Sequence, residues 1–91
     1  MALIVSFKLT SFTTEKYDEA IKRLEAAGAG APAGRLYHIC FGSGDNLQVT
    51  DVWESQASFE AFGQTLMPIL QGLGIDPGQP EIHEIHNTIL G

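Results

Sequence analysis

Cysteine is almost missing from this chain. Cys40 stands alone, so no intrachain disulfide can form and a zinc framework of thiolates is excluded. Basic residues are scarce too: five Lys and Arg face eleven Asp and Glu, a formal net charge of −6. That balance repels phosphate backbones and anionic headgroups, and no basic stripe offsets it, so neither nucleic acid nor a membrane is expected as a partner. The opening Met1-Ala2-Leu3-Ile4-Val5-Ser6-Phe7-Lys8 has no basic leader, and its apolar run is too short for a signal peptide or a membrane span. The expected location is the cytoplasm. Several chemical signatures are missing as well. There is no nucleophile elbow and no paired-histidine zinc motif, and the glycines at 42–44 join two strands rather than opening a helix onto phosphate. His83 and His86 are three apart, which on a strand puts them on opposite faces, so no metal site is expected.

What is present is globular: 91 residues, 44% hydrophobic and 18% charged. The length is expected to make one domain, residues 1–91. A domain of this size buries only about 60–65% of the surface its unfolded chain exposes. With no disulfide or metal, association is the remaining common route to stability.

Residues Ala2 to Leu9 read as a strand. Thr13 or Thr14 then caps a helix whose apolar face is Tyr17, Ala20, Ile21 and Leu24, ended by Gly28. A glycine- and alanine-rich loop leads to a second strand, Arg35 to Phe41. Gly42-Ser43-Gly44-Asp45-Asn46 turns the chain into a third, Leu47 to Glu54. Ser55 caps a second helix with apolar Phe59, Phe62, Leu66, Ile69, Leu70 and Leu73; Pro68 within it is expected to kink it, and Gly74 ends it. Met67 is read as part of the same packing. The last strand is placed at Glu81 to Leu90. Two right-handed crossovers around a hairpin give a β-α-β-β-α-β chain and a four-stranded antiparallel sheet of order 4-1-3-2, with both helices on one face.

That arrangement leaves a problem. In the first strand Leu3, Val5, Phe7 and Leu9 point one way and Ile4 the other. In the second, Leu36 and Cys40 oppose Tyr37, Ile39 and Phe41. Two helices cover only one of these faces. The other would expose an apolar patch of several hundred Å², roughly the most a monomer tolerates. A second copy of the chain, packed sheet to sheet, is the expected cover.

The residues that could carry chemistry depend on loop parity. An even hairpin loop pairs Ser43 with Asn46 and carries the register to His38 opposite Asp51, Leu36 opposite Trp53 and Cys40 opposite Val49. His38, Asp51 and Trp53 then share a face. A carboxylate beside an imidazole fixes its tautomer and raises its basicity, and Trp53 offers a planar substrate a wall. The same three residues also read as a cross-strand hydrogen bond beneath a core tryptophan. An odd loop would set His38 against Thr50 and remove the constellation. Tyr17 and Tyr37 are each either a hydroxyl aimed into a pocket or a core ring with a polar edge. Cys40 alternates toward the buried side, where a thiol is usually inert.

The run Val52-Trp53-Glu54-Ser55, followed by Phe59 and Phe62, resembles the antibiotic-biosynthesis monooxygenase-like proteins of the dimeric α/β-barrel superfamily. Leu66-Met67-Pro68-Ile69-Leu70 and His86-Asn87-Thr88-Ile89 resemble a small bacterial subgroup of it. The resemblance spans nearly the whole chain and implies an α+β, ferredoxin-like subunit that dimerises through its sheet, with a pocket between sheet and helices. Some relatives oxygenate electron-rich aromatic polyketides without metal or flavin, others degrade haem or isomerise lactones, and others have no known activity. By that similarity Trp53 matches the oxygenases' pocket tryptophan. Two departures matter. Those oxygenases carry asparagine four residues before it, where this chain has Val49, and the haem-degrading members carry a histidine on the second helix, where residues 55–73 have none.

The expectation is therefore a homodimer binding a small apolar or aromatic ligand, acting as a cofactor-independent monooxygenase with no cofactor of its own. His38 and Asp51 are the catalytic candidates, and Trp53, Tyr37, Phe7 and Phe62 the substrate contacts. A non-catalytic binding module and an isomerase or cyclase using the same pocket are the alternatives.

Overall fold

Six elements follow one another in the computed structural model, which describes residues 2–91: β1 (Leu3–Phe7), α1 (Thr14–Ala26), β2 (Arg35–Phe41), β3 (Gln48–Trp53), α2 (Gln56–Gly72) and β4 (Glu81–Glu84). The strands form one antiparallel sheet ordered β2-β3-β1-β4, the expected order read from the other edge. This is the α+β, ferredoxin-like βαββαβ fold.

The helix ends are where side chains can satisfy them. The Thr13 hydroxyl accepts from the Lys16 amide at 3.1 Å, and the Ser55 hydroxyl accepts from the Ser58 amide at 3.2 Å. Both helices close with a Schellman pair: Ala29 and Gly28 donate to Leu24 and Glu25, and Ile75 and Gly74 donate to Leu70 and Gln71. The second closure folds Ile75 into the core beside Leu70. α2 runs through Pro68 as one continuous helix. Met67, expected to pack inward, is 41% exposed and faces outward.

The core lies between the helices and one face of the sheet. Val5 and Trp53 are fully buried, and Phe7, Leu9, Val49, Leu24, Phe62 and Leu70 pack around them. Phe12 joins them from the turn after β1, where Ser11 adopts φ 52°. On the opposite face Tyr37, Ile39 and Phe41 of β2 alternate outward and stay exposed, beside half-buried Ile4 and Val52.

The hairpin loop is even. Phe41 pairs with Gln48, the Asn46 amide donates to the Ser43 carbonyl at 3.0 Å, and the register carries His38 to Asp51 and Cys40 to Val49. It then breaks. Leu36 is the extra residue of a bulge, so Arg35, not Leu36, faces Trp53, and Leu36 is left 52% exposed. A bulge bends its strand and re-aims the next side chain. Here it turns Arg35 to the helix side.

β4 is shorter than expected and stops at Glu84 rather than Leu90. Among the described residues its partner is β1, whose ladder runs to Leu3 opposite Glu84, with one further bond from the Ile85 amide to the Ala2 carbonyl. Ile89 and Leu90 are consequently exposed.

Gly34, ahead of the bulge, holds φ +87°, and a Cβ there would lie 2.4 Å from the Ser58 hydroxyl oxygen. Gly28 has a similar φ of +76° and open space around it. Gly34→Ala is expected to lower unfolding free energy by about 2 kcal/mol or more, and Gly28→Ala by about 1 kcal/mol, since only the first adds a clash to the left-handed penalty. Urea denaturation of the two variants checks the difference.

Candidate functional site

β2 and β3 bring His38 and Asp51 together on the helix side of the sheet. The His38 Nδ1 lies 2.5 Å from the Asp51 Oδ1. Asp51 is only 3% exposed and is the one buried charged residue among those described. A carboxylate there needs a donor, because desolvating an unpaired charge costs several kcal/mol. A carboxylate's oxygens only accept, so Nδ1–H donates to it, and in the neutral tautomer this leaves the lone pair at Nε2. That lone pair accepts from Tyr17, whose Oη lies 2.8 Å away. The two rings are parallel to within 3°. Tyr17 reaches this point from the first turn of α1, where its ring also meets Phe12 edge-on at a centroid distance of 6.0 Å.

The result is a line of three polar groups, Tyr17–His38–Asp51, set into an apolar wall. They border a cavity of about 60 Å³ between sheet and helices, lined also by Phe7, Phe12, Ile21, Val49, Phe62 and Leu66. Such a space holds a water or two, or dioxygen, whereas sites for drug-sized ligands span about 300–1,000 Å³. A ligand the size of an aromatic ring would fit only with the lining side chains moved outward. Arg35 is the remaining polar group at the wall. Its guanidinium donates to the Gly30 carbonyl at 3.0 Å and lies 5.9 Å from the centre of the Phe62 ring.

Of the residues singled out from the sequence, His38 and Asp51 meet, and Phe7 and Phe62 line the cavity. Trp53 does not line it. It is fully buried, packed against Phe62 and Phe59 at 5.2 and 5.8 Å between centroids, and its indole N–H has no partner among the described residues. Tyr37 lies on the opposite face of the sheet, because it alternates with His38 along β2. The tyrosine that touches His38 is Tyr17. Arg35 and Phe12 were not singled out from the sequence: a bulge places one and a tight turn the other, and neither leaves a periodic signal.

Burial, first, and then the neighbouring Cys40 and Asp51 push the Tyr17 phenol above its ordinary range, with Arg35 pulling the other way. The Cys40 thiol is likewise raised, chiefly by burial.

Similar architectures are known. SnoaB, a cofactor-independent oxygenase from Streptomyces nogalater, superposes with a TM-score of 0.62 at 16% identity, covering 97% of this chain and 94% of that one. The chain shares the ferredoxin-like fold of these proteins. A candidate antibiotic biosynthesis monooxygenase from Deinococcus radiodurans gives a TM-score of 0.64 at 13% identity, over 99% of this chain and 97% of that one. A further candidate monooxygenase, from Chloroflexus aurantiacus, gives 0.55 at 18% identity, over 99% and 97%. No protein-family model and no curated protein matches the sequence. Among the described residues no helix is long and apolar enough to cross a membrane.

Two outcomes follow from the geometry. His38→Ala strands the buried Asp51 carboxylate and should cost about 3 kcal/mol in urea denaturation, while Asp51→Asn, which keeps an acceptor for Nδ1–H, should cost clearly less. Because the native Tyr17 pKa is raised above its unfolded value, this group contributes stability that is complete below the unfolded value of about 10 and is lost as pH rises through the native one. Absorbance titration of phenolate should show a late-ionising tyrosine that disappears in Tyr17→Phe.

Proposed function

We propose that the chain is a cofactor-independent monooxygenase acting on a small, electron-rich aromatic compound, with His38 as general base. The observation that supports this best is the His38–Asp51 pair on the wall of an otherwise apolar cavity. The shared fold of SnoaB adds to it. Asp51 holds the imidazole in the tautomer whose Nε2 faces outward and stabilises the imidazolium once it forms. The Tyr17 hydroxyl marks where a substrate's acidic group would lie, since it already donates to Nε2. An incoming substrate displaces it.

Proton transfer from an activated methylene to Nε2 leaves a carbanion delocalised over the aromatic system. The carbanion gives one electron to dioxygen, and the resulting radical and superoxide combine to form a C–O bond. The imidazolium protonates the peroxide. Loss of the second methylene proton then breaks the O–O bond, leaving a ketone and water. Four electrons leave the carbon and four enter O₂, so no further reductant is needed. Phe7 and Phe62 would flank the ring, with Trp53 behind Phe62 keeping that wall rigid; Asp51 and His38 are the polar contribution. An isomerase would use the same base without oxygen. A non-catalytic binding module would leave Tyr17 in place on Nε2, and that existing contact is the feature favouring it.

We further propose that the subunit works as a homodimer, its exposed Tyr37, Ile39 and Phe41 covered by the same face of a second copy.

With an anthrone as substrate, oxygen uptake should match ketone formed and fall by about a hundredfold or more in His38→Ala, the scale of a lost general base. Uptake unchanged in that variant removes His38 from the reaction, and product formed without oxygen identifies an isomerase. Sedimentation should show a dimer that Ile39→Asp converts to monomer.

A further inference from the structure

Arg35 is a charge out of keeping with its surroundings. The chain carries a net charge of −6 and has only five Lys and Arg. One of these five contributes to the wall of an apolar cavity. Its position is built. The bulge at Leu36 turns Arg35 from the open side of the sheet to the helix side, opposite Trp53. Gly34 makes that turn possible at φ +87°, and its carbonyl accepts from the Glu54 amide at 2.8 Å, tying the start of β2 to the end of β3.

The guanidinium is held but not neutralised. One Nη donates to the Gly30 carbonyl, and the Phe62 ring lies 5.9 Å from its carbon. Both contacts orient the group, and neither carries negative charge. Among the described residues no carboxylate lies within ion-pairing distance of Arg35. A guanidinium has five donors in a planar fork that matches a carboxylate with two parallel hydrogen bonds, and among the described residues one of them is engaged by the protein. The field it projects reaches the other polar end of the cavity, where it opposes the other influences on the Tyr17 phenol.

We infer that the cavity takes an aromatic carboxylate, with Arg35 pairing the acid group while the ring lies against the apolar lining and a hydroxyl or acidic C–H meets His38. This rests on the proposed site and names its substrate class. An anion is favoured over a neutral compound because it supplies the partner the guanidinium lacks. The acidic surface does not prevent this, since its repulsion is screened beyond about 10 Å at 0.1 M salt. Arg35 is on this account a specificity-determining residue, and His38 remains the base.

The test compares 6-hydroxy-2-naphthoate with its primary amide, an uncharged molecule of nearly the same shape, by fluorescence titration without turnover. The wild-type chain should bind the acid about tenfold more tightly than the amide, the scale of a charge-assisted hydrogen-bonded pair, and the preference should shrink as salt rises. Arg35→Gln should bring the two compounds to equal affinity, and Arg35→Lys should keep part of the preference. Circular dichroism melts of both variants show whether they remain folded, and the salt dependence of the wild type stands without any variant. Equal affinity for acid and amide in the wild type, a preference that survives in Arg35→Gln, or no binding of either compound overturns the inference. Because oxygen uptake is not the readout, an acid preference in this titration together with no oxygen uptake on an anthrone would sink the oxygenase reading and leave the Arg35 site standing.

Discussion

A carboxylate placed almost out of reach of water sets the terms for this structure. Asp51 sits on a central strand beneath two helices at 3% exposure, where an apolar residue of similar size would cost far less to bury. It stays there because His38 on the neighbouring strand donates to it, and His38 in turn is anchored at its far nitrogen by Tyr17 from α1. The chain of hydrogen bonds thus crosses from β3 through β2 to the helix layer. It links the hairpin to the packing of α1, and it has the right tautomer for a base only because the carboxylate can do nothing but accept. Folding and the proposed chemistry lean on the same two contacts.

How much of this could be read from the residues alone varies with the kind of signal. Apolar spacing marked both helices, and Thr13, Ser55, Gly28 and Gly74 marked their ends, because capping is a local matter of one side chain or one backbone angle. The meeting of His38 with Asp51 needed one more fact, the parity of the Gly42–Leu47 loop, and the even case places them together. The bulge at Leu36 was beyond reach. An inserted residue in a run of alternating apolar side chains leaves the alternation looking intact while shifting everything before it, so Arg35 arrives where Leu36 was expected. The over-long last strand has a different origin: Ile85, Ile89 and Leu90 look strand-like, but the described pairing with β1 ends at Leu3 opposite Glu84, with one further bond from the Ile85 amide to the Ala2 carbonyl. Tyr17 and Tyr37 were equivalent until the topology assigned one to the cavity and the other to the open face.

Trp53 shows why chemical identity is a weak guide to placement. A tryptophan beside a candidate base invites a stacking role, yet here the largest side chain in the molecule is fully buried with its N–H unpaired. An orphaned indole donor costs something on the order of 1–3 kcal/mol. The apolar area that the ring removes from water against Phe59 and Phe62 outweighs this. Phe62 then carries the tryptophan's influence outward, since the same ring touches Trp53, lines the cavity and lies beside the Arg35 guanidinium.

The sheet's two faces are also less independent than their separate surroundings suggest. Along β2, His38 and Cys40 turn toward the helices, while Tyr37, Ile39 and Phe41 turn away. With a side-chain period of two, a slip of one residue would exchange the sets. The apolar trio would crowd into the cavity, and the histidine would move to the open face, stranding Asp51. Register on this strand is therefore enforced twice, by a charge that needs its donor on one side and by apolar side chains excluded from a filled core on the other. The bulge is confined to Leu36, before His38, where the shift re-aims Arg35 without disturbing the pair. Placed one turn of the pleat later, the same insertion would have cost the protein its buried carboxylate's only donor among the described residues.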